Sequence, residues 1–298
     1  MTDKTGRATT IAELETILQN YFGHSEPPDF VPHPTDIIIS PHAKSGTTWL
    51  QQITHGLRTR GSMDFTNINA AVPWIGIAAD MGWDLEADQI AHPRLFKSHR
   101  TWHDIWKGGR YICAIRHPYD CLISIYRFFE GWFFEPQTID IETFARWAWL
   151  REENNQKGYW PHLISWWKQH NNPDVLLLCY EEMKADLPAT VEKVAHFMGI
   201  PLDDELREIV IRQSSREFML AHRQKFDEHD VHATFGPQAG LPTPLDSSKV
   251  TAGTPNEARY QLSPTLKQEL DQVWQKQIQR TLGFKNYDEL RHALKTLT

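Results

Sequence analysis

Three consecutive isoleucines, Ile37 to Ile39, followed five residues later by Lys44-Ser45-Gly46-Thr47-Thr48-Trp49, restrict the fold of this chain more than any other stretch. A β-branched run without polar alternation describes a strand buried on both faces, as in a parallel sheet covered by helices. The segment Ser45 to Leu57 then reads as a helix, so strand, loop and helix form one unit. In such sheets anions gather beyond the carboxyl ends of the strands, where loop amides and a helix N-terminus converge. Pro41 to Trp49 occupies that place. Lys44 supplies a charge, Gly46 permits close backbone approach, Thr47 and Thr48 add hydroxyls, and the helix dipole adds partial positive charge. Trp49 either packs in the core or offers a flat face to a purine. The lysine precedes the glycine here, whereas a Walker A loop has the reverse order, which disfavours an ordinary ATPase or kinase.

Arg94-Leu95-Phe96, Tyr111 to Ile115 and Val175 to Leu178 are further strand candidates, with helical runs near 119–132, 142–153, 159–170 and 186–198 between and after them. Alternating strands and helices predict a single α/β domain with a central parallel β-sheet flanked by helices. Ahead of it, Thr10-Ile11-Ala12-Glu13 has the capping-box form and opens an apolar-periodic run to Phe22, and Pro27, Pro28, Pro32 and Pro34 break the segment that follows. Residues 1–35 are thus expected to form an N-terminal helix and extended arm, and residues 36–298 the α/β domain. Periodicity lapses over 223–262, where glycines and prolines punctuate the chain. Loops of this length inside compact domains are commonly functional or mobile, so a lid is expected there. Two helices, from Ser263-Pro264 to Leu282 and from Tyr287, close the chain.

Net charge is -7, so no overall basic field favours nucleic acid or an anionic membrane, and an anionic ligand needs a local cluster of positive charge. No run approaches the ~20 apolar residues of a membrane span, and none resembles a secretory leader. Three cysteines without CxxC spacing give no disulfide framework and fit a reducing cytoplasm. Twelve tryptophans serve either core packing or an apolar pocket, which composition does not distinguish. His229-Asp230-Val231-His232, beside Asp227 and Glu228, looks superficially like a metal cluster, but its short spacing favours a solvated acidic loop, and no metal is expected.

Two other strand ends carry reactive side chains. Arg116-His117-Pro118-Tyr119-Asp120 follows the Tyr111 strand; Arg116 can grip a phosphate through two N–H groups, and Ser124, eight residues on, can add a hydroxyl. A loop-capping arginine and an exposed helix serine are the ordinary alternative. Pro93-Arg94-Leu95-Phe96-Lys97-Ser98-His99 ends at the same sheet edge. An imidazole with an ordinary pKa of about 6.5 can take a proton from an alcohol or phenol near neutrality, although most histidines only pack or face solvent.

Together with Lys44 to Trp49, these segments resemble the cytosolic sulfotransferase family, from about residue 36 to 284. The resemblance implies transfer of a sulfuryl group from 3′-phosphoadenosine 5′-phosphosulfate (PAPS) to a small hydroxylated acceptor, an apolar alcohol, phenol or steroid-like molecule, releasing adenosine 3′,5′-bisphosphate. It makes Lys44 to Trp49 the donor loop, Arg116 and Ser124 the 3′-phosphate site, and His99 the general base. Lys97 would stabilise developing charge, and Lys44 would offset charge on the leaving oxygen. Tyr180, in Tyr180-Glu181-Glu182-Met183, and Ser214, in Ser214-Ser215-Arg216-Glu217-Phe218-Met219, match adenine-side segments, and Lys249 is a charge substitute for the family's Arg-Lys-Gly. Phe128 matches an acceptor-pocket phenylalanine, and Trp74 and Trp102 are further aromatic candidates for that pocket. The chain departs from the pattern at His42-Ala43, which separate Pro41 from Lys44, at Arg216, which stands where the family has phenylalanine, and at Ser248. The family's dimer motif has no clean match, so a homodimer stays open. A magnesium-dependent nucleotide kinase and a catalytically silent PAPS-binding protein are the alternatives.

Overall fold

A computed structural model describes residues 6–22, 28–151, 158–242 and 262–297. Its elements begin with α1 (Ile11–Phe22), β1 (Ile37–Ile39), α2 (Thr47–Thr59), β2 (Leu95–Lys97), β3 (Arg110–Ile115) and α3 (Pro118–Trp132). They continue with α4 (Tyr159–Trp167), β4 (Val175–Cys179), α5 (Leu187–Met198), α6 (Asp204–Gln213), α7 (His229–Phe235), α8 (Pro264–Val273) and α9 (Tyr287–Thr296), with shorter helical turns between. The four strands form one sheet in the order β2-β1-β3-β4, every pair parallel, with Ile39 opposite Lys97 on one side and Ile112 on the other.

Alternation along the strands sends apolar side chains to both faces of the sheet, the charged positions being Lys97 at the end of β2 and Arg110 at the start of β3. Ile38, Phe96, Tyr111, Cys113 and Ile115 feed one apolar layer, while Ile37, Ile39, Leu95, Ile112 and Ala114 feed the other. Both faces are therefore dry. The first layer also contains Trp132, Trp149, Trp160, Trp166 and Trp167, so much of the tryptophan content is core.

β1 sits between β2 and β3, so the chain leaves it in one direction to reach β2 and the sheet then grows on its other side. A crevice opens at such a switch point beyond the strand ends. At the opposite edge, Asp36 accepts from Arg94 Nε and Nη2 at 2.9 and 2.7 Å, a buried pair tying the start of β1 to that of β2.

The N-terminal helix joins this core: Leu14, Ile17 and Tyr21 are buried, and the Tyr21 ring meets Phe133 edge-on at 5.2 Å. Its start is a variant of the expected box, with Thr10 Oγ1 accepting from Glu13 N, while the Glu13 carboxylate reaches back to Thr9 N. Two expectations change. The helix expected over 142–153 is Ile141–Ala145 continued by a π turn to Leu150. The stretch 223–242, expected as an aperiodic loop, forms a 3₁₀ turn and α7, with Phe226, Val231, Phe235, Ala239 and Leu241 buried. Its apolar residues lie close to helical spacing, but the surrounding Gly and Pro signals mask that pattern. Residues 243–261 of the same expectation, including Lys249, lie outside the described residues. Among the described residues no helix is long and apolar enough to cross a membrane.

Candidate active site

The loop after β1 turns through left-handed backbone at Lys44 (φ 64°) and Gly46 (φ 95°) before α2 begins at Thr47. A Cβ at Gly46 would stand 3.0 Å from the Tyr180 ring, so glycine is required there by both conformation and space. The first turn of α2 carries no acidic side chain, leaving its amide end positive. Thr47 Oγ1 is buried and makes no hydrogen bond among the described residues. Buried polar atoms are normally satisfied, so this hydroxyl fits a ligand-binding cradle.

Arg116, at the end of β3, donates from Nη1 to the Lys44 carbonyl at 2.6 Å and lies over the Tyr180 ring at 4.5 Å. Its buried Nε makes no hydrogen bond among the described residues. Glu181 accepts from His117 N at 3.0 Å, and Tyr159 Oη donates to the Arg116 carbonyl, so the strand end is held from two sides. His117 caps α3 and Pro118 opens it, which stops β3 cleanly and starts the helix. On α3, Cys121 Sγ lies 3.3 Å from the Ala43 carbonyl and Phe128 lies under the Lys44 ammonium at 4.8 Å. Ser124 is three residues after Cys121 and four before Phe128, so helical spacing places it on this loop-facing side.

Burial pushes the Lys44 ammonium down to about 8, against the opposing pull of the Glu228 carboxylate. His42, where the loop departs from the family pattern, packs edge-on against Tyr159 and His162 at 5.4 and 5.5 Å, and burial pushes it down to about 4. It is a neutral wall residue. Beneath it, burial raises the Cys121 thiol to about 11, and all three cysteines are buried and free.

On the other flank of the loop, Trp49 Nε1 donates to the Ser214 carbonyl at 2.8 Å and its ring meets Tyr180 at 5.9 Å. Trp49, Tyr180 and Ser214 thus come together, with Ser214 Oγ buried and without a hydrogen bond among the described residues. Arg216 is exposed at the start of the next helical turn.

β2 delivers the other half of the site. His99 hydrogen-bonds through Nδ1 to the Pro41 carbonyl at 2.8 Å. A carbonyl only accepts, so Nδ1 carries a proton, and in the neutral ring the lone pair is then on Nε2, the arrangement a general base requires. The ring stands edge-on to Trp74 at 5.2 Å, and the Lys97 ammonium lies over the same indole at 4.2 Å. Lys97 is buried and paired with Glu228 at 2.6 Å.

Glu228 escaped the sequence reading, which placed it in a solvated acidic loop. The structure corrects this: Asp227, Glu228 and His232 are buried, while His229 is half-exposed and meets Asp227 at 2.8 Å. Among the described residues no group of three His, Cys, Asp or Glu is arranged to hold a metal ion. The one available signal was two adjacent acids flanked by Phe226 and Val231, an apolar frame unusual for solvated charge. Trp102 also departs from expectation: its ring packs on Tyr111, near the start of β3, and on Trp166, at 5.1 and 5.4 Å, rather than with His99 and Trp74.

A sulfotransferase domain matches residues 34–282 of the chain. Sulfotransferase 2A1 of Rattus norvegicus is 30% identical over 199 residues, covering 64% of this chain and 68% of that protein. A retinol dehydratase structure in complex with androsterone and the inactive cofactor PAP superposes with TM-score 0.66 at 15% identity, covering 90% and 87% of the two chains. Mouse sulfotransferase SULT7A1 complexed with PAP superposes with TM-score 0.62 at 17% identity, covering 94% and 92%.

Proposed function

This chain belongs to the sulfotransferase domain family, and on that premise we propose that it moves the sulfuryl group of PAPS to the hydroxyl of a small, largely apolar acceptor, with His99 as general base. The observation that carries the reading is the His99 Nδ1 contact with Pro41, which makes Nε2 the basic nitrogen beside the donor loop. PAP in the complexes of two proteins of the same fold supports a bisphosphate ligand here. The residues fit it: Lys44, the amide end of α2, buried Thr47 and Arg116 supply positive or donor groups where α/β sheets bind anions.

In this reading His99 Nε2 takes the acceptor proton as that oxygen attacks sulfur, the sulfur–oxygen bond to the nucleotide breaks, and Lys44 with the α2 amides receives the charge of the departing phosphate. Ser124 and Arg116 hold the 3′-phosphate. Alignment and charge stabilisation supply most of the acceleration. Phe128 and Trp74, which meet Lys44 and Lys97 respectively, offer aromatic faces to an apolar acceptor. Androsterone and retinol in the neighbouring fold support a molecule of that character.

The test is incubation with PAPS and a panel of phenols and alcohols, with product read by mass spectrometry. Sulfated product that disappears in His99→Ala supports the reading. Turnover surviving that change removes His99 as base, and PAP binding without turnover of any acceptor supports a silent binder.

A further inference from the structure

The Lys97–Glu228 pair is buried on both sides, its members 1% and 7% exposed, and it joins β2 to the segment leading into α7 across 131 residues of sequence. Its surroundings distinguish it from a structural tie. Lys97 and His99 are two residues apart and both meet the Trp74 ring, at 4.2 and 5.2 Å. A backbone bond from Lys97 N to the Pro73 carbonyl at 2.7 Å fixes that indole beside β2. Lys44 approaches from the donor loop, and its charge responds to both Glu228 and Lys97. His162 and His42 lie on the core side, where burial keeps both neutral. Arg100 directs its guanidinium to Trp106, 4.3 Å from that ring. The Lys97–Glu228 pair thus lies at the indole that His99 also meets, with Lys44 electrostatically coupled to that pair.

A cation beside an imidazole disfavours its protonated form, and in a poorly solvated site the effect is large. Without a counter-charge, Lys97 would weaken the base that the reaction needs. We propose that Glu228 is a positioning residue for sulfuryl transfer, holding the Lys97 ammonium on Trp74 and offsetting its field so that His99 stays basic enough to accept the acceptor's proton. The proposal rests on the reading of His99 as general base, while its electrostatic part concerns the protein alone.

The experiment is an NMR titration of histidine ring signals in the intact protein, with His99 assigned through His99→Gln. In Glu228→Gln the His99 pKa falls by about one pK unit, the size expected for an uncompensated charge at short range. Glu228→Ala gives the same fall with a smaller side chain. The double variant K97M/E228Q, which removes both charges, returns the value towards the wild type. Asp36→Asn breaks an equally buried pair at the other end of the same strands and leaves His99 unmoved. The acidic limb of kcat/KM shifts with the NMR value in Glu228→Gln, which mere loosening of the fold would not produce. An unchanged or raised His99 pKa in both Glu228 variants, or no recovery in the double variant, overturns the proposal. If the shifts occur but His99→Ala retains turnover, the base reading fails and the electrostatic coupling stands.

Discussion

The proposed donor side and the proposed base side of this site are built differently. The donor side is one short stretch, Pro41 to Trp49, completed by the next strand end at Arg116, and its main contacts are backbone turns and a helix end. The base side is assembled from Pro41, Trp74, Lys97–His99 and Glu228, segments spread from residue 41 to residue 228. Binding a polyanion can be achieved by local geometry, because helix amides and glycine turns come with the chain. Tuning a proton acceptor requires charges placed around it from several directions, which only tertiary folding supplies.

That contrast leads to separable failures. Loss of Glu228 by substitution to Ala should destabilise the fold by about 3–5 kcal/mol, the usual cost of leaving one buried charge unpaired, measured by urea denaturation. A loss near zero would show that Lys97 finds another partner and that the base side is looser than its distances indicate. Arg116→Ala should weaken PAP binding by about 10- to 100-fold in calorimetry, since it removes a charge-assisted anion contact. Unchanged affinity would detach the β3 end from the donor side.

The pH response sharpens the comparison further. Lys44 is held at about 8 in the free protein, and an anionic ligand favours its charged form, so donor affinity is full below about 8 and declines as pH rises through it. PAP should bind about tenfold more weakly at pH 9 than at pH 7, and Lys44→Ala should remove that dependence. At the small end, Arg60 pairs with Asp203 and Glu205 on the open surface, far from either half of the site in role. Arg60→Ala should leave the unfolding midpoint and PAP affinity where they were, because exposed pairs contribute little.

The same contrast explains what could be read from the chain. The sheet was legible because Ile37–Ile39 and Val175–Leu178 are apolar at every position, and such runs fit few other environments. The strand, loop and helix around Lys44 to Trp49 were legible because these residues are consecutive and their chemistry is local. The place of His99 just past a strand end was legible, but its contact with the Pro41 carbonyl was not, because that group lies 58 residues away. Glu228 was hidden in a polar stretch whose burial depends on Lys97 waiting at the end of β2. The neighbours of Trp102 were hidden for a related reason: an aromatic near a motif says nothing of which end of the strand it packs against, and here it meets Tyr111 and Trp166.

The measurement that most directly tests the division between the two sides is PAP affinity and PAPS-dependent turnover determined side by side in His99→Ala. Affinity should stay within about threefold of wild type while turnover falls by about 10²- to 10⁴-fold, the range for losing a general base. Turnover retained at the wild-type level, or PAP binding lost along with it, would contradict the account.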